Sequence, residues 1–181
     1  MTERSIVLMG LKHSGKSSFG RQLAEEFQRN FCDLDDIIET TYRKDRLVSC
    51  REIYRRHGKE YFSELESNAA MVLVDRLDDG AIVAALGGGT GENERAMDAI
   101  VGHGVLVYIN DSEERLFERI MKRGRPAFLP EEHPEIAFHA LFQKRHLLYA
   151  EYADAIAQID GERDEAYARL LTTIREYRDA R

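Results

Sequence analysis

Two glycines, a lysine and a serine near the start of the chain have the spacing of a phosphate-binding loop. Residues 10–17 have the pattern G-x-x-x-x-G-K-S. An apolar run precedes the pattern and a helical period follows it, which is the strand–loop–helix context that this motif requires. Successive backbone N–H groups in such a loop face one anion, and the positive end of the helix dipole adds to them. We therefore predict that the chain binds a nucleoside triphosphate.

Two side chains of this loop have the chemistry needed for phosphoryl transfer. Lys16 is a point charge for the β- and γ-phosphates, and the Ser17 hydroxyl is a ligand for Mg²⁺. The alternative interpretation is a chance match in a glycine-containing turn, and the flanking strand and helix count against it. The predicted nucleotide-binding residues of this loop are Gly10, His13, Ser14, Gly15, Lys16, Ser17 and Ser18.

Three carboxylates, Asp33, Asp35 and Asp36, follow the second apolar run. A carboxylate near the phosphate loop can hold Mg²⁺ directly or through water, and one further out can orient an acceptor hydroxyl and accept its proton. The alternative is helix capping, because the helix dipole alone favours acids in a first helical turn. Given the phosphate loop, we predict functional roles for Asp33 and Asp35 and assign Asp36 to capping.

Strand-like and helix-like segments alternate along the chain, which predicts an α/β fold with a five-stranded parallel sheet and helices on both faces. Ligands of such sheets bind at the carboxyl ends of the strands. Four features lie at the carboxyl ends of predicted strands: the phosphate loop, Asp33, three glycines at 87–89 and the loop after Asp111. The predicted strands are 6–9, 30–33, 81–86, 105–109 and 155–159, and the predicted helices are 16–28, 37–77 with breaks, 93–101, one from the Asp111 cap to Arg123, 136–152 and 165–177.

Local signals predict where helices begin and where a loop lies. Ser49 with Glu52 has the spacing of a capping box, Asp111 with Glu114 is predicted to cap the helix that follows, and Gly58 marks a second start within the long helical stretch. Residues 124–134 contain prolines and no hydrophobic period. We predict that they form a mobile lid loop.

The composition bounds the class of protein. The chain has 181 residues, 43% hydrophobic and 33% charged, as expected for one globular domain over residues 1–181. No apolar run approaches the roughly 20 residues of a membrane helix, and the first strand begins too early for a signal peptide. Cys32 and Cys50 lack metal-ligand spacing, so we expect a reducing cytoplasm, with Cys32 as a core residue.

The net charge of −7 argues against nucleic acid as a partner. An acidic protein that binds a triphosphate must gather its cations locally, and Lys122, Arg123 and Arg125 are clustered in the sequence. We expect a monomer with no membrane partner.

Five motifs, in order and at similar spacing over residues 4–160, resemble those of the shikimate kinase family. That family has a small α/β P-loop fold with a five-stranded parallel sheet, and it transfers the ATP γ-phosphoryl group to the 3-hydroxyl of shikimate. The matching segments are Gly10…Gly15-Lys16-Ser17-Ser18, Asp33-x-Asp35-Asp36-Ile37-Ile38-Glu39, Leu86-Gly87-Gly88-Gly89, Arg125-Pro126 and Lys144-Arg145-His146-x-x-Tyr149.

The resemblance implies a role for each matching position. Ser17 and Asp33 are similar to the Mg²⁺ positions, and Asp35 to the acid that binds the substrate hydroxyls. The glycines at 87–89 resemble a loop whose backbone meets the substrate ring, where only glycine allows so close an approach. The implied arginine roles are a lid residue over the phosphates for Arg125, an adenine neighbour for Arg119 and a substrate-carboxylate ligand for Arg145. The implied catalytic residues are Lys16, Asp35 and Arg125, and the implied substrate-binding residues are Asp35, Gly87, Gly88, Gly89 and Arg145.

One position departs from the family pattern. The family's second carboxylate arginine follows the Phe of a G-x-x-x-F segment, and Ser63 occupies that position here. Lys59 or Arg56 could replace its charge. The leading prediction is Mg²⁺-dependent phosphoryl transfer from ATP to a small, anionic hydroxylated acceptor, shikimate first.

Three other functions are compatible with parts of this pattern. One is the same chemistry on another hydroxy acid or polyol, as in a gluconate-kinase-like enzyme, and another is nucleotide binding without catalysis. A regulatory GTPase is disfavoured, because the sequence has no N-K-x-D segment to bind guanine.

Overall fold

The computed structural model describes residues 4–42, 48–122, 124–126 and 129–180. Five parallel strands form one sheet in the order β2-β3-β1-β4-β5, which confirms the predicted fold class. The strands are β1 (Ile6–Met9), β2 (Phe31–Asp33), β3 (Val83–Ala85), β4 (Val105–Asp111) and β5 (Ala155–Ile159). The helices are α1 (Lys16–Glu26), α2 (Leu34–Tyr42), α3 (Cys50–Asp79), α4 (Glu94–Ile100), α5 (Glu113–Lys122), α6 (Pro134–Tyr152) and α7 (Arg163–Asp179), with a 3₁₀ turn at Thr90–Glu92.

The central strand β1 is apolar at every position because helices cover both faces of the sheet. Val7 and Met9 belong to a core shared with α2, α3 and α6, whereas Ile6 and Leu8 belong to a core shared with α1 and α7. The alternation follows from the period of two in a strand. With β3 and β4 on either side of β1, the phosphate loop lies at the centre of the carboxyl edge of the sheet.

The long helical stretch predicted over 37–77 is divided as expected, although its first helix begins earlier. That helix, α2, begins at Leu34, and residues 43–47 of the prediction lie outside the described part of the chain. Ser49 caps α3 by accepting a hydrogen bond from the Glu52 backbone N–H at 3.3 Å. Gly58 interrupts α3 with φ 82° and ψ −175°, a conformation that favours glycine.

Two of the predicted caps are made by other residues. At the start of α5, Ser112 Oγ accepts from the Arg115 backbone N–H at 3.3 Å, while Asp111 is the last residue of β4. At the start of α2, Asp33 Oδ1 accepts from the Asp35 backbone N–H at 3.1 Å. Asp36 lies in the first turn of α2, where the dipole favours it, but the side-chain hydrogen bond comes from Asp33.

The predicted loop over 124–134 lies between α5 and α6. Pro134, its last predicted residue, is the first residue of α6, a position that proline favours because its missing N–H has no helical partner there. Arg123 and residues 127 and 128 lie outside the described part of the chain. No helix among the described residues is long and apolar enough to cross a membrane.

A buried serine joins the end of α3 to the sheet. Ser5 Oγ shares its one proton between the Leu77 and Gly80 carbonyls, at 3.1 and 3.0 Å, and accepts from the Ile82 N–H at 3.1 Å. Ser5→Ala leaves these groups without their partner, and we expect the free energy of unfolding in urea to fall by about 1–3 kcal/mol. Thr173→Ala, which removes an exposed hydroxyl, serves as the control with a change below about 0.5 kcal/mol. Equal effects of the two substitutions would contradict this account.

Candidate active site

The phosphate loop runs from the end of β1 to the start of α1, as the sequence predicts. Gly10, His13 and Gly15 have φ of 147°, 69° and 94°. Ser14 is buried, and its Oγ has no hydrogen-bond partner in the described part of the chain. Because an unpartnered buried hydroxyl is costly, this atom marks a place for a polar ligand. Ser18 lies further out, where its Oγ accepts from Arg163 Nη2 at 2.6 Å.

Lys16 is folded into the loop that it is predicted to serve. Its Nζ donates to the Gly10 and Leu11 carbonyls at 2.9 and 2.8 Å, and the residue is only 7% exposed. Burial lowers the pKa of Lys16 to about 8, against the opposing effect of Asp35 and Asp33. The ammonium group therefore keeps its proton at pH 7 and is available to phosphate oxygens.

The two predicted metal positions lie in direct contact. Ser17 Oγ donates to Asp33 Oδ2 at 2.6 Å, so the start of α1 is joined to the end of β2. A hydroxyl and a carboxylate are hard oxygen donors that suit Mg²⁺, which takes one or two protein ligands and completes its shell with water and phosphate. No cluster of three or more His, Cys, Asp or Glu side chains that could hold a metal ion is found among the described residues.

Asp35 lies in the first turn of α2, beside the loop of Gly87, Gly88 and Gly89 that follows β3 (the glycine loop). A Cβ atom at Gly87 would lie 3.0 Å from Asp35 Oδ1. Burial, together with the negative charges of Asp33 and Glu66, raises the pKa of Asp35 to about 6 despite the opposing effect of Lys16. A carboxylate with a pKa near the working pH is suited to accept a proton.

The glycine loop contacts both the phosphate loop, at Lys12, and the guanidinium group of Arg145. A Cβ atom at Gly88 would lie 2.7 Å from the Lys12 backbone nitrogen, so only glycine permits this backbone contact. The Gly88 carbonyl accepts from Arg145 Nη1 at 2.8 Å, and a Cβ atom at Gly89 would lie 3.3 Å from Arg145 Nη2. The predicted substrate-binding residues are therefore brought together at one edge of the sheet.

A buried acid that the sequence analysis missed lies next to this loop. Glu66 is 5% exposed and accepts hydrogen bonds from Thr90 Oγ1 at 2.7 Å and Asn93 Nδ2 at 2.9 Å. It stands one turn before the buried Ala69 and Ala70 on the face of α3 that packs on the core. An acid in that apolar stripe is the signal that could have identified it.

The side chain of Arg119 contacts the backbone of the phosphate loop. Its Nη1 donates to the His13 carbonyl at 3.1 Å and to Asp111 Oδ2 at 2.5 Å. Asp111 is buried at the end of β4 and also pairs with Arg115, Nε to Oδ1, at 3.2 Å. Asp111 therefore anchors two arginines of α5 instead of capping the helix, and Arg119 lies at the outer side of the phosphate loop.

Arg125 is bound by residues of its own loop. It donates to the Leu129 carbonyl and to Glu131 Oε1, the latter at 2.9 Å, both in its own loop. The side chain is 33% exposed. Of the two cations predicted to cluster with it, Lys122 pairs with Glu118 at 3.9 Å, and Arg123 lies outside the described part of the chain.

Comparison with known proteins gives a consistent result. A family model described as shikimate kinase matches residues 12–175. The shikimate kinase of Chlamydia pneumoniae is 35% identical over 156 residues, 86% of each chain, and that of Brucella canis is 33% identical over 169 residues, 93% of this chain and 80% of the other.

Solved structures agree. Shikimate kinase from Acinetobacter baumannii in complex with shikimate has a TM-score of 0.82 and 27% identity, covering 99% of this chain and 96% of the other. The enzyme from Aquifex aeolicus has a TM-score of 0.72 and 27% identity, covering 94% and 96%. On its phosphate loop, its sheet order and these matches, the chain belongs to the shikimate kinase family and is a kinase that transfers phosphate to a hydroxyl group.

Proposed function

We propose that the chain phosphorylates the 3-hydroxyl of shikimate with ATP, in aromatic amino acid biosynthesis. The observation that carries the proposal is the glycine loop, which lies against the phosphate loop at Lys12 and accepts a hydrogen bond from Arg145. An arginine next to a phosphate-binding loop supports a hydroxy acid as the acceptor, because the arginine would bind the carboxylate while the loop holds the phosphates. We also expect a monomer, and a cytoplasmic one, since the cysteines Cys32 and Cys50 are free.

The residues at the site support an in-line transfer. Lys16 would exchange its two carbonyl partners for oxygens of the β- and γ-phosphates. The acceptor hydroxyl oxygen would bond to the γ-phosphorus as the bond to the β–γ bridging oxygen breaks, and Asp35 would take the hydroxyl proton. Mg²⁺, held by Ser17 and Asp33, would neutralise charge on the phosphates. Arg125 would also neutralise charge on the phosphates, but only after its hydrogen bonds to the Leu129 carbonyl and to Glu131 are broken.

A second acceptor class is kept because of Ser63. Its carbonyl accepts from Ser67 Oγ and Asn93 Nδ2, both at 2.9 Å, so this turn of α3 borders the Glu66 cluster with no arginine at position 63. Arg56 pairs with Glu52 at 2.6 Å and Lys59 is exposed. An uncharged polyol or another hydroxy acid fits a site with one fewer cation.

The test of the proposal is a coupled ADP-release assay with Mg²⁺, ATP and a panel of hydroxy acids and polyols that includes shikimate and gluconate. We expect shikimate to give the highest kcat/KM, and Lys16→Ala to abolish turnover because the phosphate-neutralising charge is lost. Phosphorus NMR of the product would identify the phosphorylated hydroxyl. Turnover of another panel member, with none of shikimate, would overturn the assignment of the acceptor.

The raised pKa of Asp35 gives a pH prediction. Because Asp35 must be ionised to accept a proton, kcat/KM should rise with pH through about 6 and then level off. Asp35→Asn should remove this limb and lower kcat by about 10²–10⁴-fold.

The raised pKa of Asp35 also determines how the stability of the fold changes with pH. Between the ordinary pKa of 3.8 and about 6 the folded protein binds the Asp35 proton and the unfolded chain does not, so this group lowers stability as pH rises. Asp35→Asn should therefore raise the midpoint of thermal unfolding more at pH 7 than at pH 4. A larger gain at pH 4 would contradict the pKa direction.

Ser63 generates a prediction about affinity. Ser63→Arg should lower the KM for shikimate roughly 10-fold or more, on the scale of one charge-assisted hydrogen bond, with kcat little changed. Ser63→Gln, of similar length but uncharged, is the control and should not lower KM. An unchanged KM in Ser63→Arg, with Lys59→Ala and Arg56→Ala also silent, would show that no cation is needed near this position.

A further inference from the structure

Arg145, the proposed ligand of the acceptor carboxylate, is already bound by a carboxylate of its own chain. Glu92 Oε2 accepts from Arg145 Nη2 at 2.7 Å and from Nε at 3.0 Å. The pair is largely shielded from water, with side chains 18% and 17% exposed for Arg145 and Glu92. Because the Gly88 carbonyl accepts a hydrogen bond from Nη1, each nitrogen of the Arg145 guanidinium group has an acceptor.

A second cation shares the same acid. Lys144 Nζ donates to Glu92 Oε1 at 2.5 Å. Burial would raise the pKa of Glu92, but the hydrogen bonds from Lys144 and Arg145 outweigh it and hold the pKa below its usual value. Glu92 is therefore ionised, and its charge offsets one of the two positive charges that Lys144 and Arg145 bring to this cluster.

We propose that Glu92 is a specificity-determining residue that competes with the acceptor's carboxylate for Arg145 and thereby weakens the binding of anionic acceptors. The inference rests on the proposed function. An entering carboxylate either displaces Glu92, at the expense of its hydrogen bonds to Arg145, or binds beside it and meets like-charge repulsion. With Ser63 in place of a second arginine, no other cation at that position offsets either effect.

The test is Glu92→Gln, which keeps a hydrogen-bond acceptor for Arg145 but removes the competing charge. We expect the KM and the calorimetric Kd for shikimate to fall roughly 3–10-fold, the difference between a charged and a neutral partner, with kcat within about twofold. The Kd for shikimate methyl ester, which carries no charge, should be unchanged. Glu26→Gln, which breaks an exposed pair with Arg175 at 2.9 Å, is the matched control and should leave all four values unchanged.

The wild-type protein supplies an independent measurement. Glu92 already pairs with Arg145. The Kd values of the wild-type protein for shikimate and for its methyl ester should therefore differ by less than about threefold. A wild-type preference for the acid above tenfold, or a rise in KM in Glu92→Gln, would overturn the competition and make Glu92 a residue that positions Arg145.

The two proposals fail in different ways. If the wild type phosphorylates shikimate and Glu92→Gln leaves its KM unchanged, only the role of Glu92 falls. If the wild type does not phosphorylate shikimate but Glu92→Gln gains affinity for it, only the proposed acceptor falls. If neither protein binds shikimate, both are wrong.

Discussion

The contact between two backbones, at Lys12 and Gly88, is the constraint on which the site depends. A Cβ atom at position 88 would lie within 3 Å of three Lys12 atoms, so the loop after β3 can approach the loop after β1 only through glycine. The sheet order makes the contact possible, because β3 lies directly beside β1. From this contact follow the position of Gly87 beside Asp35 and that of the Gly88 carbonyl, which holds Arg145.

Charge is arranged around this contact at a cost to stability. Lys16 is buried with its pKa lowered, and Asp35 is partly buried with its pKa raised, so each group is less stable ionised here than in water. Such opposed shifts in neighbouring groups are typical of catalytic sites. The two shifts leave Lys16 a cation and Asp35 a base close to neutral pH, the states that phosphoryl transfer requires.

A buried polar cluster of Glu66, Ser67, Thr90 and Asn93 holds the turn that follows the glycine loop. Glu66 on α3 accepts from Thr90 in the 3₁₀ turn and from Asn93, whose Oδ1 also accepts from Ser67 Oγ at 3.1 Å. Asn93 in turn caps α4. Because buried polar groups are costly when unpaired, the cluster fixes the 3₁₀ turn that carries Glu92, and with it the position of the acid that binds Arg145.

Local sequence determined the phosphate loop, the five strands and most helix starts, because each depends on neighbouring residues: a glycine spacing, an apolar period or a Ser49 cap. Tertiary structure decided what Asp111, Glu66 and Glu92 do. Asp111 has the local pattern of a cap, yet at the end of a buried strand it meets Arg115 and Arg119 of α5. Arg145 and Glu92 are 53 residues apart, and no periodicity joins them, since only the packing of α6 on the 3₁₀ turn brings the two charges together.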